Sequence, residues 1–123
     1  MTRRWLVTGC SSGLGLALAT AVVGAGDRLV ATTCRPSALD VLAVKHPDQL
    51  VVATLDLRDA EAAQAAVQLA VDRLGGVDVL VNNAGAGLSG TVEEVSDEEL
   101  RTQLETLVVA PWRRGGWRGW CCR

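Results

Sequence analysis

Four short apolar runs punctuate the chain, at residues 5–8, 28–33, 50–54 and 77–82, and each is followed by a stretch with helical spacing of its apolar residues, at 14–25, 37–45, 59–74 and 97–109. Strands alternating with helices predict βαβ units and a parallel sheet. The second to fourth runs are almost continuous Val, Leu and Ala, as expected of strands covered by helices on both faces. Right-handed crossovers then place the strands in the order 3-2-1-4. Local signals agree with these boundaries. Gly24-Ala25-Gly26-Asp27 and Gly75-Gly76 supply residues that tolerate the left-handed backbone of a helix end. Ser96, with Glu99 three residues later, predicts a capping box at the start of the fourth helix. Along that helix Leu100, Leu104, Leu107 and Val108 form one apolar stripe, which suits a core face.

Polar and glycine-rich signals fall where three of the strands end. Thr8-Gly9-Cys10-Ser11-Ser12-Gly13-Leu14-Gly15 follows the first, Asp56 closes the third, and Asn82-Asn83-Ala84-Gly85 closes the fourth. A glycine-rich turn between strand and helix can reflect turn geometry alone. It also lets backbone N–H groups approach the phosphates of a dinucleotide, with the N-terminus of the following helix aimed at the same anion. In a doubly wound sheet ligands lie outside the carboxyl ends of the strands, so the three signals converge on one crevice.

Composition narrows the alternatives. The 123 residues suffice for one domain, and the net charge of −2 predicts no specific nucleic-acid partner. Residues 112–123 carry four arginines and no acid, leaving eight basic against fourteen acidic groups in residues 1–111. No run approaches the roughly 20 apolar residues of a membrane span, and no signal peptide is evident, so a cytoplasmic location is expected. Cys10, Cys34, Cys121 and Cys122 are too irregular for a disulfide framework, and with His46 the only histidine no metal site is expected.

On these motifs the chain resembles the N-terminal part of a short-chain dehydrogenase/reductase of the classical type, over about residues 3–111. Thr8, Gly9, Gly13 and Gly15 match the family's Thr-Gly-x-x-x-Gly-x-Gly pattern, Asn82 to Gly85 its Asn-Asn-Ala-Gly, and Asp56-Leu57 the pair that contacts the adenine. The resemblance implies an incomplete Rossmann-like α/β domain at 1–111, lacking the later strands and helices. It also implies a cofactor site made by Gly9, Ser11, Ser12, Gly13, Leu14, Gly15, Arg35, Asp56, Leu57, Asn83, Ala84 and Gly85. The second strand ends in Cys34-Arg35-Pro36 without a carboxylate for a ribose 2′-OH, and Arg35 can answer a 2′-phosphate. NADP is therefore expected over NAD, although in the family the basic residue often stands one position earlier, at Cys34 here.

The family's catalytic serine, tyrosine and lysine have no counterpart. The chain contains no tyrosine, and its sole lysine, Lys45, ends the second helix away from the crevice. Leu107 stands where the family carries an asparagine in the fourth helix, and Ser89 and Ser96 have no base beside them, so no catalytic residue is expected. Residues 112–123 contain only Trp, Arg, Gly and Cys, types with GC-rich codons, which is the pattern of a shifted reading frame. The sequence therefore predicts a reductase truncated or frame-shifted after about residues 106–111, with the family's alcohol–carbonyl hydride transfer absent from this chain. The rival reading is a non-catalytic nucleotide-binding or interaction module. An apolar fourth strand without a neighbour, or the fourth helix, predicts self-association and marginal stability.

Overall fold

Period-two alternation sorts the strand residues onto two buried faces, and the computed structural model, which describes residues 1–56 and 58–115, shows both faces covered. Strands β1 (Arg4–Val7), β2 (Arg28–Thr33), β3 (Leu50–Thr54) and β4 (Val79–Val81) form one parallel sheet in the order β3-β2-β1-β4, as expected. Leu6 is the register centre, opposite Val30 on one side and Leu80 on the other. Val7, Leu29, Ala31 and Leu50 pack against Ala19, Val22 and Val23 of α1 (Gly13–Gly24). Leu6 and Val30 face the other way, onto Val67, Ala70 and Leu74 of α3 (Ala60–Leu74). Burial on both faces is the physical reason these strands read as unbroken apolar runs.

The expected second helix is a 3₁₀ turn at Pro36–Leu39 followed by α2 (Asp40–Lys45), and the turn's Leu39 is fully buried. Helix α3 is closed at both ends by its own residues. Asp59 accepts from the backbone N–H groups of Glu61 and Ala62, and Gly75 ends the helix at φ 85°. The predicted capping box is present at α4 (Asp97–Leu104): Ser96 accepts from Glu99 N–H while the Glu99 carboxylate accepts from Ser96 N–H.

The boundaries agree with the sequence reading to within one residue except at β4 and the fourth helix. β4 starts at Val79: at Asp78 it is the side-chain carboxylate that accepts from Arg4 N–H (2.9 Å), and it also takes the Arg4 guanidinium. The fourth helix continues past residue 109, through a π segment at Glu105–Val109 into α5 (Ala110–Gly115). Pro111 has no N–H and its ring would clash with the carbonyl four residues back, which an ordinary α-turn cannot accommodate. The wider turn, in which Ala110 N–H reaches the Glu105 carbonyl, carries the chain past the proline. Leu100, Leu104, Leu107 and Val108 are exposed along this helix, so the stripe is not a core face within the described residues.

At the amino ends of the strands polar groups satisfy one another. Arg4 donates through Nε to Asp78 (2.9 Å) and through Nη1 to the Gly75 carbonyl (2.7 Å). Arg28 donates to the Arg73 carbonyl (2.7 Å), and Asp27 accepts from Trp5 Nε1 and Arg3 N–H, both at 2.9 Å. The hydrogen bonds from the Arg4 side chain, then its backbone N–H, bring the Asp78 carboxyl down to a pKa of about 2.

Candidate functional site

At the carboxyl ends the loops are locked to each other and leave a cleft between them. Thr8, 1% exposed, is the hub: its hydroxyl oxygen accepts from Asn83 N–H (3.2 Å) and Ala84 N–H (3.1 Å). Asn83 Nδ2 returns the contact by donating to the carbonyls of Thr8 (3.1 Å) and Gly9 (3.0 Å). The loops lie so close that a Cβ on Gly9, whose φ is +73°, would stand 2.6 Å from Ala84 Cα. A Cβ on Gly15 would overlap the Gly9 carbonyl and reach Asn83 Nδ2 at 2.5 Å. Glycine is thus required at 9 and 15 by contact with neighbouring backbone.

Helix α1 opens at this junction. Its N-cap, Ser12, is extended and makes no side-chain cap hydrogen bond, unlike Asp59 of α3 and Ser96 of α4. First-turn N–H groups without a side-chain acceptor, together with the helix dipole, suit an anion. The cleft measures about 500 Å³, within the range of small-molecule sites. Of the residues expected at the site, Gly9, Ser11, Ser12, Leu14, Gly15, Asp56, Asn83, Ala84 and Gly85 line it. Gly13 and Arg35 do not; Arg35 is exposed, and its backbone N–H donates to Thr33 Oγ1 (2.9 Å). Leu57 lies outside the described residues.

The lining also holds residues the sequence reading did not assign: Thr32, Thr33, Cys34, Leu55, Arg58, Ala86, Thr102 and Thr106. Cys34 Sγ donates to the Leu55 carbonyl (3.3 Å), joining the ends of β2 and β3. Beside them Arg58 forks onto Asp56, Nε to Oδ1 (3.1 Å) and Nη2 to Oδ2 (2.8 Å), and its backbone N–H adds a third bond (3.0 Å). The side-chain bonds from Arg58, then its backbone N–H, hold the Asp56 carboxyl at a pKa of about 2, so it is an acceptor only at neutral pH. A signal for this residue exists in the sequence: acid and arginine two apart, directly at a strand end.

On the α4 side, Thr106 Oγ1 donates to the Thr102 carbonyl (2.9 Å) and Gln103 Nε2 to the Ala86 carbonyl (2.6 Å). Leu107 lies against the loop after β4, since a Cβ on Gly85 would meet its Cδ2 at 2.8 Å. It presents hydrocarbon there and can move no proton. Ser96 is engaged by Glu99, and neither Ser89 nor Lys45 lines the cleft. Cys10, inside the glycine loop, is fully buried; desolvation raises its thiol pKa to about 11, and its Sγ donates to the Val7 carbonyl (3.4 Å). No group of three or more metal-ligating side chains occurs among the described residues.

The family described as short chain dehydrogenase matches residues 3–112. The chain belongs to that family. As a short-chain dehydrogenase it is similar to an oxidoreductase, calM, of Penicillium decumbens, 42% identical over 106 residues that make up 83% of this chain and 34% of that protein. It superposes on the crystal structure of a short-chain dehydrogenase from Streptomyces avermitilis with a TM-score of 0.89 and 43% identity, over 94% of this chain and 42% of the other. Two structural neighbours, each 27% identical and matched over 94% of this chain, carry cofactors. One is a 3-ketoacyl-(acyl-carrier-protein) reductase from Brucella melitensis complexed with NADH (TM-score 0.86, 48% of that chain). The other is an NADPH-bound carbonyl reductase from chicken fatty liver (0.83, 50%). The chain spans between 32% and 46% of the length of the curated relatives it matches, and corresponds to the N-terminal part of the short-chain dehydrogenase fold.

Proposed function

We infer that this chain is a dinucleotide-binding module of the short-chain dehydrogenase type that takes NADP(H) in preference to NAD(H) and has no turnover by itself. The observation that carries this is the convergence, on one cleft of about 500 Å³, of the interlocked glycine loop, the α1 N-terminus without a side-chain cap, and Asp56. Gly9, Ser11, Ser12 and Leu14 border the pyrophosphate position, Gly13 gives the turn, and Gly15 allows helix and loops to close up. Asp56, an ionised acceptor, addresses the adenine amine, Leu57 lies outside the described residues, and Asn83, Ala84 and Gly85 wall the far side. The absence of a carboxylate at Cys34-Arg35-Pro36 favours the phosphorylated cofactor.

In a complete enzyme the bound nicotinamide gives or accepts a hydride, and the partner is a carbonyl or alcohol. That step also needs a proton donor at the substrate oxygen. Of this chain's residues, Leu107 is apolar, Thr106 is bonded within its own helix, and there is no tyrosine. Calorimetric titration of the 123-residue chain with NADPH, followed by incubation with a panel of aldehydes and ketones, tests both halves. Saturable binding without loss of NADPH absorbance is expected. Absence of binding to the folded chain overturns the reading, and measurable oxidation of NADPH overturns its inactive half.

A second reading concerns assembly. β4 pairs only with β1 among the described residues and its residues are half-buried, so its outer edge can accept a strand from a second copy. Sedimentation coefficients that rise with concentration are expected, and a constant monomer value rules this out. No helix among the described residues is long and apolar enough to cross a membrane. A cytoplasmic setting belongs to the same proposal, because NADP(H) is then at hand.

A further inference from the structure

We propose that Arg58, rather than Arg35, is the residue that distinguishes the 2′-phosphorylated dinucleotide in this cleft, with Asp56 as its positioning partner. The inference rests on the nucleotide-binding reading above and names the group that sets the preference. Among the described residues Arg58 is the one cationic side chain that lines the cleft, whereas Arg35 lies outside the lining. Arg58 shares the cleft wall with Cys34 at the end of β2, whose Sγ is tied to the Leu55 carbonyl one residue before Asp56. The end of β2 is where a ribose 2′-substituent is read. Here it offers Thr32, Thr33 and Cys34, which carry no charge to answer a phosphate dianion.

The Asp56 fork occupies Nε and Nη2 of Arg58, and Nη1 carries two further N–H donors. The pair as a whole is neutral, so an unphosphorylated ribose gains little from it. A 2′-phosphate gains charge-assisted hydrogen bonds from the guanidinium. Both side chains are more than half exposed, at 62% and 51%, so the ion pair itself contributes little stability and does not prevent the guanidinium from turning toward a doubly charged oxygen cluster. The three bonds to Asp56 nevertheless hold Arg58 at the cleft wall before a ligand arrives. Removing Arg58 has two effects of the same sign: the donor is lost, and the Asp56 carboxylate is left to repel the phosphate.

The test compares dissociation constants for NADPH and NADH, by calorimetry on the full 123-residue chain, in the unaltered protein and in Arg58→Ala, Arg58→Lys and Arg35→Ala, each shown folded by circular dichroism. Arg58→Ala is expected to weaken NADPH by about tenfold or more and NADH by less than about twofold, with higher salt shrinking the difference. Arg58→Lys should restore part of the preference, and Arg35→Ala should leave the NADPH to NADH ratio within about twofold. An unchanged ratio in Arg58→Ala, or a selective loss in Arg35→Ala alone, overturns this assignment and leaves the nucleotide-binding reading intact. Failure of the unaltered chain to bind either nucleotide overturns both.

Discussion

The two ends of the sheet use their polar groups in opposite ways. At the amino end Arg4, Arg28, Asp27 and Asp78 are matched to one another, to Trp5, and to the carbonyls that end α3. At the carboxyl end Thr8 and Asn83 hold two loops together, while the α1 N-terminus and the Asp56–Arg58 pair face an open cleft. The helices repeat the contrast, since α3 and α4 are capped by their own side chains and α1 is not. Polar residues matched internally report on folding, and those arranged around a cavity report on a ligand. Changes at the amino end should therefore move stability alone, and changes at the carboxyl end should move binding.

The largest separation is expected from Gly15→Val. Its side chain would drive into the Gly9 carbonyl and Asn83, costing roughly 3 kcal/mol by overpacking and lowering NADPH affinity beyond about a hundredfold. Chemical denaturation and calorimetry measure the two effects, and near-normal affinity would show that the loop contact does not shape the cleft. Thr8→Val keeps the shape and removes the acceptor of two buried N–H groups, for which about 1–3 kcal/mol and a smaller loss of affinity are expected. If affinity holds while stability falls, Thr8 belongs with the amino-end residues.

Asp78→Asn at the other end should lower the melting temperature without changing the NADPH dissociation constant. Its pH signature has a definite sign. The Asp78 carboxyl is depressed to about 2 in the folded chain, so its contribution is complete above the ordinary aspartate range and disappears as pH falls from about 4 toward 2. The unaltered chain should lose stability across that window, and Asp78→Asn should lose less; parallel acid curves would show that Arg4 does not stabilise the carboxylate. The smallest effect concerns thiols. Cys34 is exposed and Cys10 buried with its pKa raised to about 11, so peptide mapping after iodoacetamide at neutral pH should find Cys34 modified and Cys10 spared. Bound NADPH should slow the reaction at Cys34, and equal labelling of Cys10 would contradict its burial.

Strand order and the meeting of the three strand-end motifs were legible in the sequence because each rests on local chemistry. Val and Leu runs report burial on two faces, Gly9 and Gly15 report close approach, and Ser96 with Glu99 reports a helix start. What was not legible depends on neighbours far apart in the chain or on competition at one residue. At Asp78 the side chain rather than the backbone answers Arg4 N–H, and the π segment follows from Pro111, whose effect falls on the turn before it. The motif at the end of β2 points to Arg35 as the charge for the cleft, whereas the cation that lines it is Arg58, after β3. Only the parallel pairing of β2 with β3 brings that residue to the same corner.

The contrast between the two sheet ends can be read in one experiment, an amide NMR titration of the uniformly ¹⁵N-labelled chain with NADPH. Shifts are expected at Gly9 to Gly15, Asp56, Arg58 and Asn83 to Ala86, with Arg4, Asp27 and Gly75 to Asp78 unmoved. A dispersed spectrum that does not respond to NADPH, or that responds at the amino end, would contradict the account.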